Sequence, residues 1–171
     1  MGIIDKILNR MRIFIYSQKF DIGKGCSFGK IKFWDCDFGS VNIEDNVNIL
    51  RGTELCAKKD RKIYIGANSF INQRCLIRPN VTVGKNVSIG PGVMLMSDSH
   101  TLGDEMKRAG ESTYKRISIG DGCWIGAGAI ILGGVSVANG VMIAAGSVVN
   151  SNCEANAIYG GVPAKKIKQL E

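Results

Sequence analysis

The 171-residue sequence predicts an all-β fold, a parallel β-helix of six-residue repeats. Three observations indicate it: aliphatic residues recur every six positions, a small or β-branched residue follows each of them four positions later, and glycine is in excess. The 22 glycines amount to about 13% of the chain, nearly twice the usual ~7%. Collagen would need glycine at every third position, and that pattern is absent.

The aliphatic residues keep their period over two long stretches. They are Ile65, Ile71, Ile77, Val83, Ile89 and Leu95, then Ile119, Ile125, Ile131, Val137, Ile143 and Val149. The small or β-branched set is Ser69, Cys75, Val81, Val87, Val93 and Ser99, then Cys123, Ala129, Val135, Val141 and Ser147. A six-residue period fits neither an α-helix nor one continuous strand. It fits a short strand plus a tight turn, and three such units form an 18-residue coil.

Glycine and cysteine both find a place in this coil. Glycine often follows the aliphatic residue, as at Gly66 and Gly84, and we expect Gly or Asn to take the bend of each unit. Cys26, Cys75 and Cys123 lie four residues after an aliphatic or equivalent position, which predicts buried small hydrophobes. The six cysteines form no CxxC pair, and the N-terminus shows no secretion signal, so we expect free thiols in the cytoplasm.

The pattern weakens at three places, which sets the expected organisation. Residues 21–154 form the β-helix, and residues 155–171 form a C-terminal tail. Residues 101–118 lack aliphatic residues at the expected positions, which predicts an extruded loop. Residues 1–20 are expected to cap the open end of the β-helix, and their pattern of apolar and basic residues favours an amphipathic helix. Contact of this segment with a membrane surface, peripheral to the inner membrane, stays open as the alternative.

Charge and composition exclude several classes of function. The net charge of +7 comes from scattered basic residues without a nucleic-acid recognition motif, so we expect no nucleic acid as partner. An anionic small molecule or an acidic surface fits better. One histidine cannot supply the three ligands of a histidine-bound zinc site, and no metal is expected in catalysis.

The repeats in residues 65–100 and 119–149 resemble the hexapeptide-repeat acyltransferase family. DGCWIGAGAIILGGVSVANGVMIAAGSVV, followed by YGGVPAKKI, is similar to the acetyl-CoA-binding half of its sugar O-acetyltransferase branch. The resemblance implies a left-handed parallel β-helix, a homotrimer, and acetyl-CoA in the groove between neighbouring subunits. The periodicity by itself predicts neither the hand nor the oligomer.

The resemblance also implies acetyl transfer from acetyl-CoA to a sugar hydroxyl, with His100 as general base. His100 is the one histidine and lies where the polar loop joins the repeats, and an imidazole can accept a proton near neutral pH. Asn72, in SFINQRC, matches the family's asparagine near the acceptor and the developing oxyanion. Either Asp98 or Asp104 is expected to orient the ring of His100.

For the coenzyme, the family pattern falls on Trp124, Ala127 and Ala145. The two alanines are 18 residues apart, so they are expected to stack in successive coils, where small side chains would admit the pantetheine arm. Lys165 and Lys166, with Lys168, form a basic tail suited to the phosphates of coenzyme A.

Two departures from the family bear on the acceptor. Thr101 follows His100 where galactoside and maltose enzymes usually have proline, and their acidic N-terminal substrate element is missing. Both departures favour a sugar or polysaccharide precursor of surface polysaccharide or O-antigen synthesis. An N-acetyltransferase of a nucleotide-linked amino sugar, an antibiotic acetyltransferase and a non-catalytic β-helix binding module stay open. A Cys75 acyl-enzyme is disfavoured, because that residue holds a core position of the repeat.

Overall fold

The computed structural model describes residues 2–171, which form one helix, six coils of short strands and two hairpins. Helix α1 (Ile3–Ser17) comes first. The first two coils contain β1 (Asp21–Ile22), β2 (Ser27–Phe28), β3 (Lys32–Phe33), β4 (Val41–Ile43), β5 (Asn48–Ile49) and β6 (Glu54–Leu55). The next two contain β7 (Ile63–Ile65), β8 (Phe70–Ile71), β9 (Leu76–Ile77), β10 (Val81–Val83), β11 (Ser88–Ile89) and β12 (Met94–Met96).

A hairpin of β13 (Asp98–Leu102) and β14 (Ala109–Tyr114) separates the fourth coil from the fifth. The last two coils contain β15 (Ile117–Ile119), β16 (Trp124–Ile125), β17 (Ile130–Leu132), β18 (Ser136–Val137), β19 (Met142–Ile143) and β20 (Val148–Val149). The chain ends in a second hairpin, β21 (Ala157–Gly161) and β22 (Ala164–Gln169).

The strands of the coils stack into three parallel sheets. Sheet A contains β1, β4, β7, β10, β15 and β18; sheet B contains β2, β5, β8, β11, β16 and β19; sheet C contains β3, β6, β9, β12, β17 and β20. β21 adds to sheet B in parallel and β22 follows it in antiparallel. The predicted parallel β-helix is therefore confirmed, with the coil as its repeating unit.

The six-residue pattern forms the core. All twelve aliphatic residues of the pattern are at most 2% exposed. The small positions are buried as well, including Cys26, Cys75 and Cys123, because they point into the narrow interior. Ser99 is the exception among them and is exposed, since the chain has already left the coil at Asp98.

The glycine after the aliphatic residue is required for space and not for the bend. A Cβ on Gly90 would lie 2.7 Å from the backbone nitrogen of Ala127, and one on Gly126 would lie 2.5 Å from that of Ala145. The bend comes two residues later, where Gly92 has φ +70°. Gly and Asn take the bends as expected, for example at Gly92 and Asn86, whereas the glycine directly after the aliphatic residue is needed where the next coil passes too close for a side chain.

Helix α1 covers the first coil with polar side chains. Asn9 Nδ2 donates to the carbonyl of Cys26 (3.3 Å), and Asn9 Oδ1 accepts from the amide of Phe28 (2.8 Å). Arg12 Nη1 donates to the carbonyl of Phe28 (3.0 Å). An open coil presents unpaired backbone groups, and these side chains satisfy them. The apolar residues Ile3, Ile4, Ile7, Leu8, Met11, Phe14 and Ile15 are left 39–79% exposed.

No helix within residues 2–171 combines the length and apolar character needed to cross a bilayer.

The extruded segment is a β-hairpin and differs in its bounds from the predicted loop 101–118. Val81 pairs with Ile117, so one coil length of chain is looped out and the stacking resumes in register. The hairpin starts at Asp98, and Ile117 already belongs to β15. The predicted tail 155–171 likewise forms the β21–β22 hairpin, because its residues continue the ladder of sheet B.

Candidate active site

The base of the β13–β14 hairpin is fixed by an ion pair and two cation–π contacts. Arg78 Nε donates to both carboxylate oxygens of Asp98 (3.0 and 2.9 Å), and its Nη2 donates as well. The guanidinium of Arg78 also lies 4.6 Å from the ring centroid of Trp34. Asp98 pairs with Tyr114 across the hairpin, and Arg61 lies 4.0 Å from the Tyr114 ring centroid. The hairpin therefore leaves the coils in a defined direction.

His100 projects from this hairpin into solvent. It pairs with Ser112 in the strand register, and its Nε2 lies 3.5 Å from Ser112 Oγ. Asp98 and His100 are two residues apart in one strand and so share a face. An open cleft of about 400 Å³ lies beside His100, where the hairpin meets sheet C; its lining includes Met96, Asp98, His100, Thr113, Lys115 and Leu132. A small acceptor could reach the imidazole there.

Neither predicted orienting carboxylate hydrogen-bonds to His100 within residues 2–171. Asp98 is held by Arg78, which is the main reason that its pKa lies below the usual value. The charge of His100 makes a smaller contribution in the same direction. Asp104 Oδ1 accepts from the amides of Met106 and Lys107 (both 3.0 Å) and so closes the hairpin turn. Asp98 thus shares a strand with His100 but is paired with Arg78, and Asp104 is committed to the turn.

The coenzyme candidates lie along the corner where sheet B turns into sheet C, which we call the B–C corner. The amide of Gly146 donates to the carbonyl of Ala127 (2.9 Å), so Ala127 and Ala145 stack in successive coils as expected. Both are exposed. The corner in coils four to six contains only Gly, Pro and Ala, namely Gly90, Pro91, Gly92, Gly126, Ala127, Gly128, Ala144, Ala145 and Gly146. A thin, unbranched chain could therefore reach the backbone there.

Trp124 lies next to this corner, on the outer face of sheet B. Its side chain is 55% exposed, and the register places it between Ser88 and Met142. An exposed indole beside a corner that contains only small residues fits the apolar pantetheine linker and the flat adenine ring of coenzyme A. The residues present are therefore compatible with coenzyme A.

The two predicted phosphate-binding lysines differ in their surroundings. Lys165 pairs with Gly160 in the β21–β22 hairpin and is exposed, close to the last coil of the B–C corner. Lys166 Nζ lies 2.7 Å from Glu154 Oε2, and this hydrogen bond raises the pKa of Lys166. Lys165 is thus available to an anion, whereas Lys166 already has a carboxylate partner.

Asn72 and His100 lie at different corners of one chain. Asn72 follows β8 at the B–C corner, and its Oδ1 accepts from the amide of Gln73 (2.7 Å). His100 lies in the hairpin that leaves the coils where sheet C turns into sheet A. The cleft beside His100 does not include Asn72 among the described residues that line it. A site containing both therefore requires a second copy of the chain.

The cysteines do not form a nucleophilic site. All six are buried thiols. Burial raises the pKa of the Cys75 thiol, and its Sγ donates to the carbonyl of Gly90 (3.2 Å). A protonated, buried thiol is a poor nucleophile. Within residues 2–171, no group of three or more His, Cys, Asp or Glu side chains is placed to hold a metal ion.

Comparison with known proteins identifies the family. The profile described as bacterial transferase hexapeptide (six repeats) matches residues 62–96 and 116–151, on either side of the hairpin. The chain belongs to this hexapeptide-repeat transferase family. Galactoside O-acetyltransferase of Escherichia coli (strain K12) is 34% identical over 110 residues, which is 63% of this chain and 54% of that protein. The chain spans about half the length of the curated relatives it matches.

Solved structures agree with this fold. A galactoside acetyltransferase in complex with coenzyme A is 25% identical with a TM-score of 0.66, over 95% of this chain and 71% of the other. An N-acyltransferase from Bacillus cereus, in complex with dTDP and coenzyme A, has a TM-score of 0.79 at 21% identity, over 94% of this chain and 89% of the other. The second similarity concerns the fold alone.

Sequence reasoning missed the residues that hold the β13–β14 hairpin in place. Arg78, Arg61 and Tyr114 form its base, and Lys115 lines the cleft. The one signal for them was the charged segment 58–62, which shifts the repeat register and contains Arg61. Arg78 occupies an ordinary outward position after Ile77 and carries no signal of its own.

The Arg78–Asp98 pair predicts a particular pH dependence of stability. The pKa of Asp98 is lower in the folded protein than the unfolded value of ~3.9, so its contribution is present above that pH and is lost as the pH falls through the folded value. We expect urea unfolding to show a destabilised Asp98→Asn variant at pH 7 and a smaller difference from wild type near pH 3. Asp104→Asn serves as a carboxylate control in the turn. An Asp98→Asn deficit that stays constant from pH 7 to pH 3 would contradict the assignment.

Proposed function

We propose that this transferase moves the acetyl group of acetyl-CoA to a sugar hydroxyl, with His100 as general base. The observation that carries the proposal is the placement of the chain's one imidazole, on an anchored hairpin beside an open cleft. The B–C corner with Trp124 supplies a groove for the acyl donor. The relative named galactoside O-acetyltransferase supports the reaction class, and the solved galactoside acetyltransferase with coenzyme A supports the donor.

The reaction requires a proton to move at His100. A ring nitrogen of His100 accepts the proton of the acceptor hydroxyl while the oxygen attacks the thioester carbonyl. Acetyl-CoA supplies the activated acyl group when bound. Asp98, ionised through Arg78, stabilises the resulting imidazolium by charge. Asn72 donates from its side-chain amide to the developing oxyanion. His100 then returns the proton to the sulfur as the carbon–sulfur bond breaks.

We place the acceptor among sugars of surface polysaccharide or O-antigen synthesis, and we place acetylation on oxygen. Thr101 after His100 supports an acceptor other than a simple galactoside or maltose. The Bacillus cereus N-acyltransferase is the reason to test amines as well as hydroxyls. Thiol release against free sugars, lipid-linked sugars, nucleotide-linked amino sugars and aminoglycosides decides among these acceptors. If none of these acceptors caused release of coenzyme A and acetyl-CoA did not bind, the non-catalytic β-helix binding module would be favoured.

A homotrimer would complete the site, and the outer faces of the sheets support it. The upper four strands of sheet C present an apolar row on their outer face, Leu76, Met94, Ile130 and Val148, and the row ends in Glu54 and Lys32. The corresponding row on sheet A is polar: Asn42, Tyr64, Thr82, Ser118 and Ser136. A partner covering sheet C would exclude water from apolar surface and bring a neighbour's corner towards the hairpin.

Helix α1 is the element on which we place contact with a membrane surface. Its apolar residues are exposed, and Lys6 and Arg10 lie on the same short helix with Asp5 as its only acidic residue. An exposed apolar face flanked by basic residues fits an interface with anionic lipids. The contact would hold the transferase at the cytoplasmic face of the inner membrane.

His100→Ala is expected to lower turnover by about 10²–10⁴, because the alcohol loses its proton acceptor. Glu111→Gln, on the same hairpin, serves as the control and is expected to leave turnover within about twofold. The measurement is coenzyme A release at saturating acetyl-CoA, with binding of acetyl-CoA followed separately. Equal turnover in wild type and His100→Ala would remove His100 from its role.

Mixing two inactive variants tests whether the site is shared between subunits. His100→Ala and Asn72→Ala are each expected to be impaired alone. If one subunit gives His100 and its neighbour gives Asn72, co-refolded mixtures regain intact sites, up to about a quarter of the total in random 1:1 assembly. Activity is measured before and after subunit exchange. A mixture no more active than the mean of its two components would show that the residues do not meet across subunits.

Vesicle flotation tests the role of α1. We expect binding to phosphatidylglycerol vesicles at low salt and weak binding to phosphatidylcholine, because basic residues flank the apolar face. Ile4→Ser with Ile7→Ser should abolish binding, whereas Val162→Ser, an exposed apolar residue at the other end of the chain, should not. Undiminished binding by the double variant would exclude α1 as the contact.

A further inference from the structure

The B–C corner changes its chemistry between the third and fourth coils. In coils four to six it contains only small residues. In coils one to three it carries Lys30, Arg51 and Arg74, all exposed. Asn72 lies at the upper end of the basic part, one coil below Gly90. The corner therefore has a strip of small residues on one side of Asn72 and a basic stretch on the other.

Backbone hydrogen bonds place the three basic residues on consecutive coils. The amide of Gly52 donates to the carbonyl of Lys30 (2.8 Å), and the amide of Arg74 donates to the carbonyl of Arg51 (3.2 Å). Successive coils are separated by about 4.8 Å, the spacing of hydrogen-bonded strands. A cleft of about 660 Å³ lies here and is lined by all three.

The positive charge of this cleft is not neutralised. Lys30, Arg51 and Arg74 have no carboxylate within ion-pair distance in residues 2–171. Glu54 also lines the cleft, but it pairs with Lys32 at 3.6 Å. The cleft thus contains four basic side chains and one acidic side chain.

Arg74 holds a backbone conformation that arginine rarely adopts. Its φ is +57°, and the other non-glycine residues with positive φ in the described chain are all Asn or Asp. At the equivalent bend, four other coils have glycine, with φ of +66° to +78°: Gly52, Gly92, Gly128 and Gly146. Strained residues that persist where glycine would be relaxed are typical of functional positions. The side chain of Arg74 fits because Gly52, beneath it, has no Cβ.

We propose that Lys30, Arg51 and Arg74 form a binding groove for the diphosphate of the acceptor. Two arginines can each bind a phosphate group through paired hydrogen bonds, and lysine adds a point charge. A diphosphate held below Asn72 would place the attached sugar between the basic stretch and the donor groove above. The proposal rests on the proposed acetyl transfer, and it names the acceptor class: a sugar joined through a diphosphate to a nucleotide or to a lipid carrier.

Arg74→Gly provides the first test, because it removes the guanidinium and also relieves the strained backbone. We expect the variant to be at least as stable to heat as wild type and to bind inorganic pyrophosphate about tenfold more weakly by calorimetry. Asn86→Gly is the matched control for the same backbone change, since its φ is +55° at the corner between sheets A and B. Lys62→Met controls for loss of one charge elsewhere. Both should retain wild-type pyrophosphate affinity.

Turnover separates the two sources of the diphosphate. Arg74→Gly and Arg51→Met should raise the KM for a UDP-linked or an undecaprenyl-diphosphate-linked sugar about tenfold with little change in kcat, and the acceptor that is used identifies the source. The KM for acetyl-CoA should not change. Pyrophosphate affinity within twofold of wild type in both arginine variants, or competition by a glucuronate oligosaccharide but not by pyrophosphate, would overturn the proposal. Loss of pyrophosphate binding without any acetyl transfer would instead retain the groove and reject the proposed reaction.

Discussion

Parallel hydrogen bonding between successive coils is the constraint on which the rest of this structure depends. It places each residue over its counterpart, as Val81 and Val83 lie over Ile63 and Ile65. A side chain is therefore surrounded by the same position of the coils above and below, and burial at one position demands burial at all of them. At the corners, too, each residue lies close to the equivalent residue of the next coil. A Cβ on Gly84 would lie 2.8 Å from the amide nitrogen of Asp121, so the coil stack itself keeps some corner positions without side chains.

On this scaffold, the candidate binding residues lie above one another at the same corner of successive coils. The B–C corner offers open backbone in the upper coils and unneutralised basic side chains in the lower coils, with Asn72 between them. The imidazole lies elsewhere, on a hairpin that leaves the stack between sheets C and A. One looped-out coil length lets the chain insert this hairpin and resume its register at Ile117. The β-helix thus keeps its core and gains a hairpin that carries the His100 side chain away from the faces of the sheets.

The sequence predicted the coil well, because burial in the narrow interior of the β-helix requires an aliphatic residue at every sixth position, and this period can be read directly from the sequence. Contacts between elements left no such trace. Arg78 and Asp98 are twenty residues apart on different elements, and nothing periodic connects them. The stacking of Lys30, Arg51 and Arg74 could not be predicted, because these residues are not separated by multiples of six. The lower coils are longer than 18 residues, as the pairing of Asn48 with Phe70 shows. The polar cap by Asn9 follows from unpaired backbone groups of the first coil, which a pattern of side-chain hydrophobicity does not report.

Basic side chains on successive coils repel one another, and the backbone of the coils keeps them close together. Lys30, Arg51 and Arg74 are exposed, so water and salt screen most of their mutual repulsion in the free protein. An anion that lies across two coils replaces this screening with direct charge-assisted hydrogen bonds and removes the repulsion at the same time. Because the backbone ladder fixes the spacing of the three residues, only their side chains need to be ordered when the anion binds. The ladder that makes the core regular therefore also fixes the spacing of Lys30, Arg51 and Arg74, and their affinity for an anion should fall steeply as the salt concentration rises.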